Sequence, residues 1–419
     1  MIKKIEKMLK ASGLDGYLIC EAKNEIYQLY FVNEKIETVR SGEFVDTYVS
    51  IYVKHDDKLG DASFQVYQSS KDEEIKKAIE IAKNNALSVF NPPYELVKQE
   101  AYVGEIESKS LKNMADEIAE AVFSVKGSHG AKLNATEIFV TKLNKHIVNS
   151  NGLDKKSAMY KCMIETIPTF DKKDESVEIY AQKNFSEFTK EEISDHISQK
   201  LFEVEARANA EKIELPEKMD VTLRAEEIST ILSEYVDQLN YFSLAMQSNA
   251  INVGDNLQNG DGDKITLTMK NRIPGCADSS EFDQDGSSFK EKVIIENGVA
   301  VDQFGGNRFS QYVNKDNTGN LPLYELNRGE LTKEELEGKT YLECLQFSGI
   351  QCDFLNDYLG GEVRLAILHK DGKQIPVCGF SISGKLSELM GRVKLSKESD
   401  KLPEYFGPAF IYLKDLQVL

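Results

Sequence analysis

Histidine is scarce in this 419-residue chain, and its scarcity removes a class of chemistry. A zinc hydrolase needs two or three imidazoles or carboxylates on one face, commonly His at i and i+4 of a helix. The five histidines are His55, His129, His146, His196 and His369. No two of them fall within one helical turn, and none lies between His196 and His369. The six cysteines (Cys20, Cys162, Cys276, Cys344, Cys352 and Cys378) are equally dispersed and form no CxxC. That is too sparse for a disulfide framework and suits reduced, buried thiols in the cytoplasm. There is no G-x-S-x-G elbow for a nucleophilic serine. No apolar stretch is long enough to cross a bilayer, so no membrane partner is expected. Nor is there a run of Lys and Arg, which nucleic-acid binding by counterion release requires.

What remains is an ordinary soluble composition, 41% apolar and 29% charged. Fifty-one basic against 69 acidic side chains give a formal charge of −18, which favours solubility. The start carries Ile2, Ile5, Met8 and Leu9 at helical spacing, an amphipathic helix and not a signal peptide. Strands are expected at 16–20, 26–32, 47–53, 135–142, 146–149 and 176–182, with Asn151-Gly152 as a turn. Helices are expected behind a capping box at Ser70, from Leu111 to Val125, and behind a second box at Thr189. Leu215-Pro216 punctuates two helical stretches. The division therefore runs 1–215, an α/β half with an antiparallel sheet and helices, and 216–419, mainly antiparallel β. After a helix from about Ala225, β patterns dominate, with Asn297-Gly298 and Asp371-Gly372 as hairpin turns. The fold class is α+β, since no βαβ alternation builds a parallel sheet.

Four stretches invite a chemical reading. Glu192 and His196, i and i+4 on one helix, lack a third ligand and read as a surface ion pair. Cys344, Cys352 or Cys378 could meet His369 in space, although a buried structural thiol is the commoner state. Gly379 to Lys385 fits G-x-x-x-x-G-K, but Leu386 stands where a Mg²⁺-binding hydroxyl is needed. Asp278 to Gly286 concentrates carboxylates around Phe282, and a charge run of this kind usually stays in water.

Read in order, these segments resemble the TldD/PmbA family. Gly60-Asp61-Ala62-Ser63 and Val148-Asn149-Ser150-Asn151-Gly152 carry the likeness in the first half. Phe282-Asp283-Gln284-Asp285-Gly286 is similar to the family's F-D-x-E/D-G, and Ile295-Glu296-Asn297-Gly298-Val299 to its x-E-N-G-V/L hairpin. Asn317-Thr318-Gly319-Asn320 is similar to its S-T-G-N turn. Asp371-Gly372-Lys373, Pro376-Val377, Ile382-Ser383-Gly384 and Gly407-Pro408 complete the series. Asp357-Tyr358-Leu359-Gly360-Gly361 departs from the family's G-D-F/Y-S.

The resemblance implies a pair of subunits. TldD-like chains carry zinc through HExxxH on the first helix of the C-terminal domain, with a distant Cys, and PmbA-like (TldE-like) chains lack both. Here the helix from about Ala225 to Met246 has no His, and Glu404-Tyr405-Phe406-Gly407-Pro408 stands where Cys would be. The expectation is a non-catalytic, PmbA-like cytoplasmic subunit, with no metal or catalytic residue of its own and zinc in a TldD-like partner. Its substrate would be an unstructured peptide, bound by β-addition at an exposed strand edge. Phe282, Asp283, Asp285 and Gly286, with Gly379, Ser381, Ser383 and Gly384 in a second turn, are the expected cleft residues. The family's older label, modulator of DNA gyrase, fits poorly with the acidic charge. Two other readings stay open: an autonomous hydrolase with dispersed residues, and a homodimeric binding or regulatory protein.

Overall fold

Hairpins of unusual length organise the first half of the chain. The computed structural model describes residues 1–127, 130–172 and 175–419, so His129 lies outside the described residues. β1 (Gly16–Val32) and β2 (Lys35–His55) form one hairpin and β3 (Lys58–Val66) continues it. β4 (Ala101–Val103) is short, and β5 (Ala131–Asn149) and β6 (Asp154–Asp171) form a second long hairpin. β7 (Ser176–Glu178) and β8 (Ala181–Phe185) both pair with β6. The sheet runs β3-β2-β1-β5-β6-β4, antiparallel except where β4 meets β6. Sequence alternation detects the buried stretches of these strands but divides β1 and β5 where both faces are half wet, and it misses β3 and β6.

One face of the sheet is covered by helices. α1 (Ile2–Ala11) and α2 (Asp72–Ala86) bury Ile5, Leu9, Ile75 and Ile79 against Ile19, Val49 and Ile51. α3 (Leu111–Ser124) and α4 (Lys190–Asn209) bury Ile118, Val122, Ile193 and Ile197 against Ile138, Val140 and Ile164. α4 begins where its capping box predicts. Thr189 Oγ1 accepts from the Glu192 amide at 3.2 Å, and Glu192 Oε2 accepts from the Thr189 amide at 2.9 Å. α2 begins one residue later than expected. Its cap is Lys71, whose amide donates to Glu74 at 2.8 Å, while the Ser70 hydroxyl accepts from Tyr67.

The second half holds two sheets around one core. β9 (Lys218–Arg224) leads into α5 (Ala225–Gln238) and α6 (Tyr241–Ala245). β10 (Leu267–Lys270), β11 (Lys292–Glu296), β12 (Val299–Ala300), α7 (Asn307–Tyr312) and β13 (Leu323–Leu326) follow. Then come β14 (Tyr341–Asp353), β15 (Tyr358–Lys370), β16 (Lys373–Val377), β17 (Phe380–Gly384) and α8 (Leu386–Arg392). β18 (Lys394–Leu395), β19 (Ser399–Lys401), β20 (Tyr405–Pro408) and β21 (Phe410–Val418) complete it. One sheet runs β12-β11-β10-β13-β20-β19. The other runs β14-β9-β21-β17-β15-β16, and β14 also pairs with β15, closing a ring. Only β9–β14 and β13–β20 are parallel in this half. The buried face of α5, Ile228, Ile231, Leu232 and Tyr235, lies in the core between them. Both predicted hairpin turns have positive φ at both central residues, +49° and +79° at Asn297-Gly298 and +52° and +72° at Asp371-Gly372. Among the described residues no helix is long and apolar enough to cross a membrane.

Gly60 shows how tightly α2 seats on β3. A Cβ there would lie 1.8 Å from the Ala86 carbonyl oxygen. Gly60→Ala is therefore expected to destabilise the chain by about 1–3 kcal/mol, read as a lower urea midpoint.

Candidate functional site

The face of the eight-stranded sheet opposite its helices is the floor of a cleft of about 1360 Å³. Leu143, Lys145, Met159 and Lys161 rise from β5 and β6, and Asp237, Asn240, Phe242, Arg308 and Phe309 face them from the second half. The loop from Asp278 to Phe289 stands at its centre, and it is not a solvated charge run. Phe282 is 1% exposed and packs among Leu18, Tyr52, Ile147 and Leu153 of the first half. Its burial is what turns the acidic stretch inward. Lys145 Nζ lies 5.0 Å and Lys155 Nζ 5.9 Å from the Phe282 ring centroid, so two cations flank the plug.

Asp283 knits the loop. Its Oδ1 accepts from the amides of Asp285 at 2.9 Å and Ser287 at 2.8 Å. Its Oδ2 accepts from the Asn320 amide at 3.0 Å, and its carbonyl accepts from Lys145 Nζ at 3.2 Å. Asn317 Nδ2 donates to Ser287 Oγ at 2.9 Å, so the 282–286 and 317–320 motifs form one structure. Asn149 Oδ1 caps the turn below by accepting from the amides of Asn151 and Leu153. Gly286 has φ +84°, and a Cβ on it would lie 2.3 Å from Leu153 Cδ2. Three motifs distant in sequence therefore meet here.

Asp285 is the loose carboxylate of the group. No ion pair reaches it among the described residues. Burial, and then the charge of Asp283, push its pKa up to about 6 despite Arg308 and Lys145. Arg308 likewise has no ion pair among the described residues. Its guanidinium lies 5.5 Å from the ring centroids of Tyr94, Phe309 and Tyr312, and its Nε donates to the Tyr312 hydroxyl at 3.2 Å. Beside the plug, buried Lys155 bonds to Glu100 at 2.8 Å and Ser288 Oγ at 2.7 Å.

The structure brings Phe282, Asp283 and Asp285 to the cleft wall, with Gly286 packed behind them. Gly379, Ser381, Ser383 and Gly384 are elsewhere. Ser381, Ser383 and Gly384 are not in a turn, because Phe380 to Gly384 is strand β17, hydrogen-bonded between β15 and β21, with Phe380 and Ile382 in the core, while Gly379, at φ +77°, lies in the bend that leads into it. None of the four lines this cleft. Sequence reasoning did not single out Arg308, Tyr94 or Lys145. The Gly305-Gly306 pair before Arg308 was the available signal, since a Cβ at Gly305 would strike the Tyr241 ring.

A second cleft, of about 1190 Å³, lies between α4 and the ring. It holds His196, which is not in an ion pair with Glu192. Glu192 caps α4 and pairs with Lys401 at 3.4 Å. Burial, then Lys183 and Lys200, bring the half-buried His196 down to about 3, so it is neutral. His369 donates from Nε2 to the Glu343 carboxylate, 3.1 Å away, and stacks on Tyr341, centroids 4.3 Å apart. Neither partner is a thiol. Burial raises Cys344 strongly and pushes Cys352 up to about 12.

Beneath α5, Ser229 Oγ donates to Glu404 Oε1 at 2.5 Å and lies 2.6 Å from the Tyr324 hydroxyl. α5 and the segment around Glu404 are the two places where the family resemblance sets a zinc site. They do meet, but the donors are two hydroxyls and one carboxylate already bonded to each other, a set that does not suit zinc. Among the described residues no three His, Cys, Asp or Glu side chains converge as a metal site.

Two substitutions test the seam. Phe282→Ala is expected to cost about 3–5 kcal/mol and to split urea unfolding into two steps. Asp285 has a folded pKa above its unfolded one, so its cost is full above pH 6 and is relieved as pH falls towards 4. Asp285→Asn should therefore gain stability over wild type increasingly from pH 4 to 6 and level off above, in a pH series of urea midpoints.

Comparison with known proteins agrees with this geometry. Residues 216–419 match the family model described as PmbA/TldA metallopeptidase C-terminal domain. The chain is similar to the crystal structure of TldE from Thermococcus kodakarensis, at TM-score 0.78 and 17% identity over 100% of this chain and 98% of that one. It is also similar to a proposed modulator of a DNA gyrase from Thermotoga maritima, at TM-score 0.74 and 16% identity over 100% of both chains. A third likeness, to a proposed modulator of DNA gyrase from Bacteroides thetaiotaomicron, has TM-score 0.75 and 14% identity over 99% and 97%. Comparison with curated protein sequences finds no match. From residue 216 onward the chain thus belongs to the PmbA/TldD metallopeptidase family, on a fold that TldE shares from end to end.

Proposed function

We propose that this chain is a metal-free subunit of a TldD/TldE-type metallopeptidase complex in the cytoplasm, shaping the cleft for an unstructured peptide while a TldD-like partner supplies zinc. The observation that carries the reading is the Ser229–Glu404–Tyr324 cluster. It occupies the meeting point of α5 and the C-terminal segment with hydroxyls in place of imidazole and thiolate. A bound metal would have to displace these hydrogen bonds and bury its charge on a single carboxylate. No hydrolytic step is assigned to the chain's own residues.

The cleft supports a peptide ligand. Its floor of strand residues and its rim of Phe242, Phe309 and Arg308 combine apolar surface with scattered polar groups, as pockets for flexible chains do. An autonomous cysteine hydrolase is disfavoured. Thiols pushed up in pKa are poor nucleophiles, and His369 is committed to Glu343 and Tyr341. The charge of −18 likewise disfavours direct binding to DNA.

The test is reconstitution with the HExxxH-bearing homologue from the same genome. An unstructured peptide is expected to be cleaved by the mixture and by neither chain alone, with zinc recovered only in the partner. Equal cleavage by the partner without this chain would sink the proposal.

A further inference from the structure

Arg308 carries hydrogen-bonding capacity that the fold leaves unused. A guanidinium offers five N–H donors in one plane. The Nε–H of Arg308 goes to the Tyr312 hydroxyl at 3.2 Å, and no acceptor meets its two terminal nitrogens among the described residues. Neither nitrogen is a buried atom, and the half-buried side chain lines the cleft, so those donors are reached from it. The other cations of the lining are occupied or solvated. Lys145 donates to the Asp283 carbonyl, Lys161 pairs with Asp278 at 3.4 Å, Arg272 pairs with Glu281 at 3.4 Å, and Lys109 is exposed.

The guanidinium is also held in place. Its carbon lies 5.5 Å from the ring centroids of Tyr94, Phe309 and Tyr312. Those rings brace one another edge to face, Tyr94 against Tyr312 at 6.1 Å and Phe309 against Tyr312 at 5.8 Å. α7 itself is tied to the first half. Asn307 Nδ2 donates to the Glu95 carbonyl and the Tyr312 hydroxyl to the Pro92 carbonyl, both at 2.7 Å. A planar fork fixed in this way loses little freedom on binding, and its natural complement is a carboxylate taken by two parallel hydrogen bonds.

We propose that Arg308 anchors the C-terminal carboxylate of the peptide that enters the cleft, a role that rests on the peptide reading above and makes the site a reader of free chain ends. The charge of the cleft selects the chain end over an acidic side chain. Carboxylates outnumber cations in the lining, so a peptide rich in Asp or Glu is repelled. The terminal carboxylate is the one anion that every unmodified peptide carries. Asp285 and Asp61 influence the charge of Arg308 without reaching it in an ion pair, which leaves the fork open.

Isothermal titration calorimetry on the intact chain tests the anchor with an N-acetylated, unstructured peptide free of Asp and Glu, prepared as C-terminal acid and as C-terminal amide. The acid is expected to bind about tenfold or more tighter than the amide, the worth of a charge-assisted fork. Arg308→Gln should bring the acid down to the amide and leave the amide unchanged, with a thermal melt showing that the variant is folded. Asp285→Asn, which removes a like charge from the same wall, should tighten the acid alone, several-fold. That second variant decides the matter even where Arg308→Gln fails to fold. Equal binding of acid and amide by the wild-type chain would overturn the anchor while the peptide reading stood, and binding of neither would overturn both. Discrimination that survives in Arg308→Gln, or an acid no tighter in Asp285→Asn, would overturn it too. So would an amide with one internal Glu that binds as well as the acid, since the fork would then serve side chains.

Discussion

One aromatic side chain sets the relation between the two halves of this molecule. Phe282 leaves the second half and is buried in an apolar socket of the first, formed by Leu18, Tyr52, Ile147 and Leu153. Burying a phenyl ring contributes about 1.5–3 kcal/mol. The ring can be delivered only because Asp283 satisfies three amides of its own loop and of the 317–320 turn. The cleft exists because the halves are joined there and splay on either side. A shift of the plug would move Asp285 and Arg308, which hang on the same scaffold.

Polar groups around the joint are buried in company. Lys155 is held by Glu100 and Ser288. At a second seam, Glu203 of α4 accepts from Lys200, Arg224 and Gln346, tying the first half to β9 and β14. Burial raises its carboxyl, but the two cations outweigh that and hold it below the usual range. A buried ion group of this kind adds little net stability over an apolar one, but removing one partner strands the others. The two seams thus fix orientation more than they add strength.

Helices and tight hairpins were readable because their signals are local. The Thr189 box, Asn297-Gly298 and Asp371-Gly372 all act within four residues. β3 and β6 escaped because their faces mix charge with apolar residues, as in Lys155, Lys156 and Lys161 of β6, where Lys155 is held by Glu100 and Ser288 and Lys161 reaches Asp278, all far away in sequence. Phe282 and Asp283 were singled out by carboxylate density, yet their burial was not foreseen, since nothing within the loop encodes its socket. The 379–384 stretch was misjudged for the opposite reason. Its Ser383-Gly384 dipeptide looks like a turn, but alternating Phe380 and Ile382 face a core and make 380–384 a strand. The α+β class was legible from hairpin signals and the lack of βαβ alternation, whereas the family resemblance came from the order of the motifs.

The closed ring of the second half also governs the order in which the molecule can be made. β1–β2 and β5–β6 join neighbouring segments, so the first sheet can form while the ribosome is still extending the chain. β9 cannot close the ring until β14 and β21 arrive from the far end of the same half. Until then the receptor for Phe282 and the inner face of α5 stand open to solvent, and the half-made chain exposes sticky surface. Nascent-chain chaperones would find their work concentrated in that interval.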